Sequence, residues 1–239
     1  MSETGLIVQC TIRRRSVTMR KQKKFTQKLA SIGLILLFLL ESYGKINPAG
    51  NAPANDAAKL KLHSLISKTR PGLSKKEQKD LVLVVERASY HIRFPKKTKT
   101  TNTAPVDKLG FLVGLIQTES QFHTRAKSHK GALGLMQVMP ETARWLAKKE
   151  GIPFSSAKEL YEPETNLLIG VLYLNYLMER TETLEATLLA YNAGLGGYKR
   201  FGGVPSYSRT VYKYYEEWKQ MPVPSEIPIS ESLASLFSI

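Results

Sequence analysis

With 239 residues, 42% hydrophobic and 23% charged, against 12 prolines and 16 glycines, the chain has room for one globular domain with extensions and the composition to give it a core. Its single cysteine, Cys10, excludes a disulfide-stapled scaffold, and four histidines without H-E-x-x-H or C-x-x-C spacing give no reason to expect a metal or other cofactor. The net charge of +15 invites an anionic partner, yet residues 1–44 hold eight Lys/Arg against two Asp/Glu, so part of the excess belongs to one end.

That end has its own pattern. Arg20, Lys21, Lys23, Lys24 and Lys28 precede the apolar run Leu29 to Leu40, whose 12 residues fall short of a bilayer span. Basic flank and short apolar run read as the two parts of an export signal, with small residues Ser42 and Gly44 before a cleavage site; an uncleaved inner-membrane anchor through residues 29–40 is the alternative. Residues 1–44 are therefore expected to send the chain to the periplasm or cell envelope. Residues 45–73 read as a linker, rich in Pro, Gly, Ala and Asn up to Asp56, and then a short amphipathic helix, Ala57 to Lys68, stopped by Arg70-Pro71-Gly72.

Ser74 and Glu77 spell a capping box for a helix to about Ile92, whose apolar face is Leu81, Val82, Val84, Val85 and Ala88. Phe94 to Pro105, with Lys96, Lys97 and Lys99, reads as a polar surface loop, without the interleaved aromatics that nucleic-acid binding would call for. Asp107 precedes a helix through Ser120 on which Leu109, Leu112, Val113, Leu115 and Ile116 form a broad apolar face. Further helices are predicted over Pro140 to Glu150, Glu164 to Arg180, Thr183 to Ala193 and Tyr207 to Gln220. No period-two run suggests a strand, so the fold class is mainly α, with the main domain over 74–221 and a loose tail over 222–239.

The candidate chemistry lies at the end of the helix closed by Ser120. Glu119 has Leu115 and Ile116 on the preceding turn, and an apolar cleft above it would favour the protonated form that a general acid needs. Alone, a helix-end glutamate says little. It is followed, however, by A-x-S-x-x-G-A-x-G-L-M-Q-x-M-P-x-T-A from Ala126 to Ala143 and by A-Y-N-A-G from Ala190 to Gly194. In this order, with E-S-x-F at Glu119 to Phe122, the sequence resembles the lytic transglycosylases of the soluble, lysozyme-like type (glycoside hydrolase family 23), which also includes goose-type lysozymes.

The resemblance covers about Leu81 to Tyr215 and implies a lysozyme-like helical domain with a cleft between two lobes. It implies that Glu119 is the sole catalytic acid and base, acting on the β-1,4 bond between N-acetylmuramic acid and N-acetylglucosamine of peptidoglycan, with no cofactor. Ser120 would hydrogen-bond Glu119 or the substrate acetamido group. Ser128 and Gln137 would order the cleft and bind sugar polar groups, and Met136 would line it. Tyr191 would reach the acid or the substrate, while Asn192 would tie its loop or touch substrate. Gly131 and Gly134 would let the backbone turn tightly; Gly196-Gly197 and Gly202-Gly203 would be turns or close approaches to sugar. Near Tyr207 the chain departs from members with a Glu-Thr pair, so Tyr207 becomes a substrate-contact candidate in its place. A water-activating Asp near Gly134 to Gln137, expected of a goose-type hydrolase, is missing. A glycan-binding envelope-assembly protein that kept the scaffold is the non-enzymatic alternative.

Overall fold

The computed structural model describes residues 52–94 and 106–224, all within one compact unit, Gly50–Ile239. The export reading of 1–44, the membrane reading of 29–40, the Lys96 to Lys99 loop and most of the tail lie outside the described residues. Among the described residues the chain is helical, as the mainly α, lysozyme-like expectation requires: α1 Ala52–Thr69, α2 Lys75–Tyr90, α3 Lys108–Ser120, α4 Pro140–Glu150, a 3-10 turn Ala157–Tyr161, α5 Pro163–Met178, α6 Leu184–Ala193, α7 Leu195–Phe201 and α8 Pro205–Gln220. No helix among them is long and apolar enough to cross a membrane.

The starts of these helices are written locally. Ser74 Oγ accepts from Glu77 N and the Glu77 carboxylate accepts from Ser74 N at 2.8 Å, closing the capping box of α2. Asp107 caps α3 by accepting from Leu109 N at 3.0 Å. Proline occupies the first turn of α4, α5 and α8, where its missing N–H costs nothing. Two elements depart from expectation. The first helix begins at Ala52, inside the stretch expected to be linker, and its Leu62, Leu65 and Ile66 join the common core. Gly196-Gly197, expected as a turn or a close approach to sugar, lies inside α7, whereas Gly202 and Gly203 form the turn after it.

α3 organises the molecule. Phe111, Leu112, Val113, Leu115 and Ile116 are all fully buried, so the helix is enclosed on every side instead of on one stripe. Its most extensive partner is α8, which runs antiparallel to it. At one end Trp218 Nε1 donates to Asp107 Oδ2 at 2.8 Å, and Asp107 N donates to the Tyr215 hydroxyl at 3.2 Å. Between the ends the backbones nearly touch at Gly114, where an added Cβ would lie 2.8 Å from the Val211 carbonyl oxygen, while at Gly110 it would lie 2.3 Å from the Trp218 indole. This antiparallel arrangement brings the C-terminus of α3 to the N-terminus of α8.

α5 is held by two buried asparagines. Asn175 accepts from Arg93 N at 2.9 Å and donates to the His91 carbonyl at 2.8 Å, tying α5 to the end of α2. Asn166, fully buried, donates to the carbonyls of Leu133 and Leu160 and accepts from Met136 N, each at 2.8 Å. A buried amide with its polar capacity used this fully is a strong anchor, because losing it would orphan the Met136 N–H and the Leu160 carbonyl and leave the Leu133 carbonyl with Val138 N alone.

Candidate active site

The end of α3 is where regular backbone stops. Gln121 takes a left-handed conformation at φ 49°, and Phe122 repeats it at φ 60° while fully buried. Gln137, at φ 47°, is the remaining non-glycine residue of this kind among the described residues. Left-handed backbone is costly for residues with a Cβ, and all three instances lie in the segment that frames Glu119. Phe122 acts as an anchor, its ring in the core fixing the direction in which the chain leaves the helix.

From there the chain folds back on the end of α3. Ser128 N donates to the Ala132 carbonyl and Ser128 Oγ accepts from Ala132 N, both at 3.0 Å, closing a small loop. Leu133 and Val138 exchange backbone hydrogen bonds at 3.0 Å around the turn Gly134 to Gln137. Gly134 must be glycine: its φ is 74°, and a Cβ would lie 2.2 Å from the Leu160 carbonyl and 2.3 Å from Asn166 Nδ2. Gly131, at φ 86°, turns the preceding loop. Ser120 Oγ donates to the Leu135 carbonyl at 2.7 Å, joining the end of α3 to this turn.

Glu119 stands half-buried within that frame. Burial drives its carboxyl up to about 7, while the hydrogen bond from Tyr207 pulls the other way; no neighbouring charge contributes. Tyr207, at the start of α8, donates its hydroxyl to Glu119 Oε1 across 88 positions of sequence. Burial, then the charge on Glu119, hold the Tyr207 phenol far above its ordinary value, so it remains a donor. The second carboxyl oxygen of Glu119 has no protein partner among the described residues. No Asp or Glu occurs in residues 120–140 or 186–215; the carboxylate of Glu185, exposed at the start of α6, accepts from Ser208 Oγ at 3.4 Å. Among the described residues no group of His, Cys, Asp and Glu could hold a metal ion.

The remaining candidates divide. Tyr207 joins Glu119 directly. Tyr191 is nearly buried and donates to the Met136 carbonyl at 2.9 Å, so its hydroxyl is committed to the loop although it lies within reach of the Glu119 field. Met136 departs from the cleft-lining expectation. It is fully buried, and its sulfur would be 2.4 Å from a Cβ at Gly170, so it fills the space left by that glycine. The Ser120 hydroxyl goes to Leu135 instead of to Glu119, and Ser128 closes its own loop. Gln137 is half-buried and donates to the Gly134 carbonyl at 2.9 Å, while Asn192 is exposed at the end of α6. Asn166 escapes sequence reasoning; a polar residue beside the apolar run Leu167-Leu168-Ile169 is the available signal.

Residues 98–205 match the Transglycosylase SLT domain and end two positions before Tyr207. The soluble lytic murein transglycosylase of Escherichia coli K12 is 40% identical over 88 residues, which are 36% of this chain and 14% of that protein. The membrane-bound lytic murein transglycosylase C of Histophilus somni 2336 is 36% identical over 99 residues, covering 37% of this chain and 27% of that one. The chain spans less than a third of the length of either relative. Among solved structures, the 70 kDa soluble lytic transglycosylase of Escherichia coli is 25% identical, with a TM-score of 0.42 over 68% of this chain and 29% of its own.

Proposed function

We propose, taking the transglycosylase SLT domain of residues 98–205 as premise, that this chain is a peptidoglycan lytic transglycosylase of the cell envelope with Glu119 as its one acid and base. The observation that carries the reading is a carboxyl raised to about 7 by burial, held at one oxygen by Tyr207 and without a second carboxylate in the flanking segments. In a glycan strand bound across the α3 terminus, the protonated carboxyl donates to the bridging oxygen as the bond from C1 of the muramyl sugar breaks. The substrate's acetamido oxygen shields the oxocarbenium-like centre. The resulting carboxylate then takes the proton of the muramyl C6 hydroxyl as that oxygen closes on C1, giving a 1,6-anhydro end and regenerating the acid. Because the nucleophile belongs to the substrate, the reaction needs no second carboxylate to activate water, unlike paired-carboxylate glycosidases.

Ser120, Asn166 and Tyr191 support this reading as positioning residues, because each ties the Leu133 to Gln137 turn to a helix. In this reading Gln137, through its amide oxygen, and the exposed Asn192 offer polar groups to the sugars. The test is mass spectrometry of muropeptides after digestion of whole peptidoglycan. Anhydromuramyl ends are expected as the main product; reducing ends as the majority would identify a hydrolase, and intact glycan would identify a binding protein.

A further inference from the structure

Charge in this domain is sorted around the acid. Residues 120–140 and 186–215 hold seven Lys/Arg and no Asp/Glu, whereas the rest of residues 106–224 hold seven Lys/Arg against twelve Asp/Glu, Glu119 among them. The two segments without acids are the ones that meet at the site: Tyr191 donates to the Met136 carbonyl at 2.9 Å, and Tyr207 donates to Glu119. All seven cations are exposed. None of them serves the acid, because no neighbouring charge contributes to the titration of Glu119.

Three of the seven lie on the loop that follows α3. Ser128 N donates to the Ala132 carbonyl at 3.0 Å and Gly134 N to the Ala126 carbonyl at 2.9 Å, so residues 126 and 128 are held to the Ala132 to Gly134 stretch. Exposure alternates accordingly, with Arg125, Lys127 and His129 outward and Lys130 following at the tip. Among the described residues Lys127 and Lys130 have no carboxylate or aromatic partner, and Arg125 has the Tyr161 ring at 5.6 Å. Solubility is served as well by mixed signs, as on the rest of the domain, while three cations within six residues repel one another until an anion joins them. Sugar rings of the glycan bring no such charge. The peptide stems of peptidoglycan do, through their free carboxylates, and each stem hangs from the lactyl group of the muramyl sugar whose C1 is attacked.

We propose that Arg125, Lys127 and Lys130 form a recognition element for the carboxylates of the muramyl peptide stem, so that peptide-bearing strands are cut in preference to bare glycan. The proposal rests on the glycan-cleaving reading of the site and adds the substituent that it selects. Exposed ion pairs are individually weak and screened by salt, so three together should give a preference of about tenfold that fades at about 0.5 M salt.

The experiment gives the full chain three soluble substrates: strands with intact stems, the same strands freed of stems by an amidase, and strands whose stem carboxylates have been converted to carboxamides. At low salt kcat/KM should be about tenfold higher on the first than on the other two. The triple variant R125Q/K127Q/K130Q, checked by its melting temperature, should cut all three alike and within about twofold of the wild-type rate on bare strands. Wild type that cuts carboxylate and carboxamide strands alike would overturn the proposal without recourse to any variant. So would a folded triple variant that keeps the preference, including one whose sole defect is lost sedimentation with phosphatidylglycerol vesicles, since the loop would then serve a lipid surface. If the wild type cuts no strand, the enzymatic reading falls by itself. Binding of the Glu119→Gln chain then decides the loop: tighter binding of carboxylate than of carboxamide strands retains it, and equal binding removes it.

Discussion

The two halves of one helix obey different rules. From Leu109 to Ile116, α3 is a buried apolar rod with regular backbone and a well-made cap. From Gln117 onward it carries a half-buried carboxyl and runs into two consecutive left-handed residues, Gln121 and Phe122. The first half spends nothing on function, and that is what allows the second to hold a desolvated acid and unfavourable backbone in place. Conformational strain and an ionisable group in an apolar setting persist only where the surroundings leave them no alternative.

Four substitutions sharpen that contrast. Glu119→Gln keeps the shape and the hydrogen bond from Tyr207 but removes the proton; muropeptide release should fall by about 10² to 10⁴-fold or more, since one residue serves both steps. Its stability should move the other way. The folded Glu119 titrates near 7 against an ordinary 4.5, so the wild type loses stability as pH rises from about 4.5 through 7. Thermal melts should therefore show Glu119→Gln more stable than wild type at pH 8, by about 1–3 kcal/mol, and the gap should close below pH 4.5. Similar melting at both pH values would mean that the carboxyl is not desolvated.

Asn166→Leu tests the support instead of the acid. It leaves Met136 N and the Leu160 carbonyl without a partner and the Leu133 carbonyl with Val138 N alone, and should cost about 2–4 kcal/mol in urea unfolding. Tyr207→Phe removes the bond that lowers the Glu119 titration, so the alkaline limb of the activity profile should shift to higher pH, with a rate loss of about threefold to tenfold at neutrality. An unmoved limb would leave Tyr207 a packing residue. The smallest effect is expected for Gln121→Gly, which relieves the φ 49° backbone and should stabilise the fold by about 0.5–1 kcal/mol. Lower activity in this variant, despite higher stability, would show that the strained exit from α3 contributes to positioning the acid.

Helices that carry local signals are legible in the order of their residues. The capping box of α2, the Asp107 cap and the prolines opening α4 and α5 mark starts correct to within a residue. α7 is the exception, because paired glycines argue for a turn, whereas the packed context around Tyr198 keeps them helical. The location of Glu119 at a helix end is legible from the apolar period that stops there. Its partner is not, because the 88 positions to Tyr207 are closed by the antiparallel packing of α3 and α8, which no short-range pattern encodes. For Met136 and Ser120 the motif identifies the residues but not the directions of their side chains. One fills the space over Gly170 and the other turns to the Leu135 carbonyl.

The glycine crossing of α3 and α8 makes the two helices resemble a pair of pliers. Gly110 and Gly114, a helical turn apart, form the rivet, with Trp218 on Asp107 closing one pair of ends and Tyr207 on Glu119 the other. In pliers the thickness of the rivet sets the gap at the jaws. A methyl group at Gly114 would lie 2.8 Å from the Val211 carbonyl, too close to fit without parting the helices, and the gap would open at an acid five residues away. The smallest side chains in α3 thus govern how tightly the tyrosine grips the carboxyl, and a substitution at either glycine, remote from the carboxyl itself, would retune the acidity of Glu119.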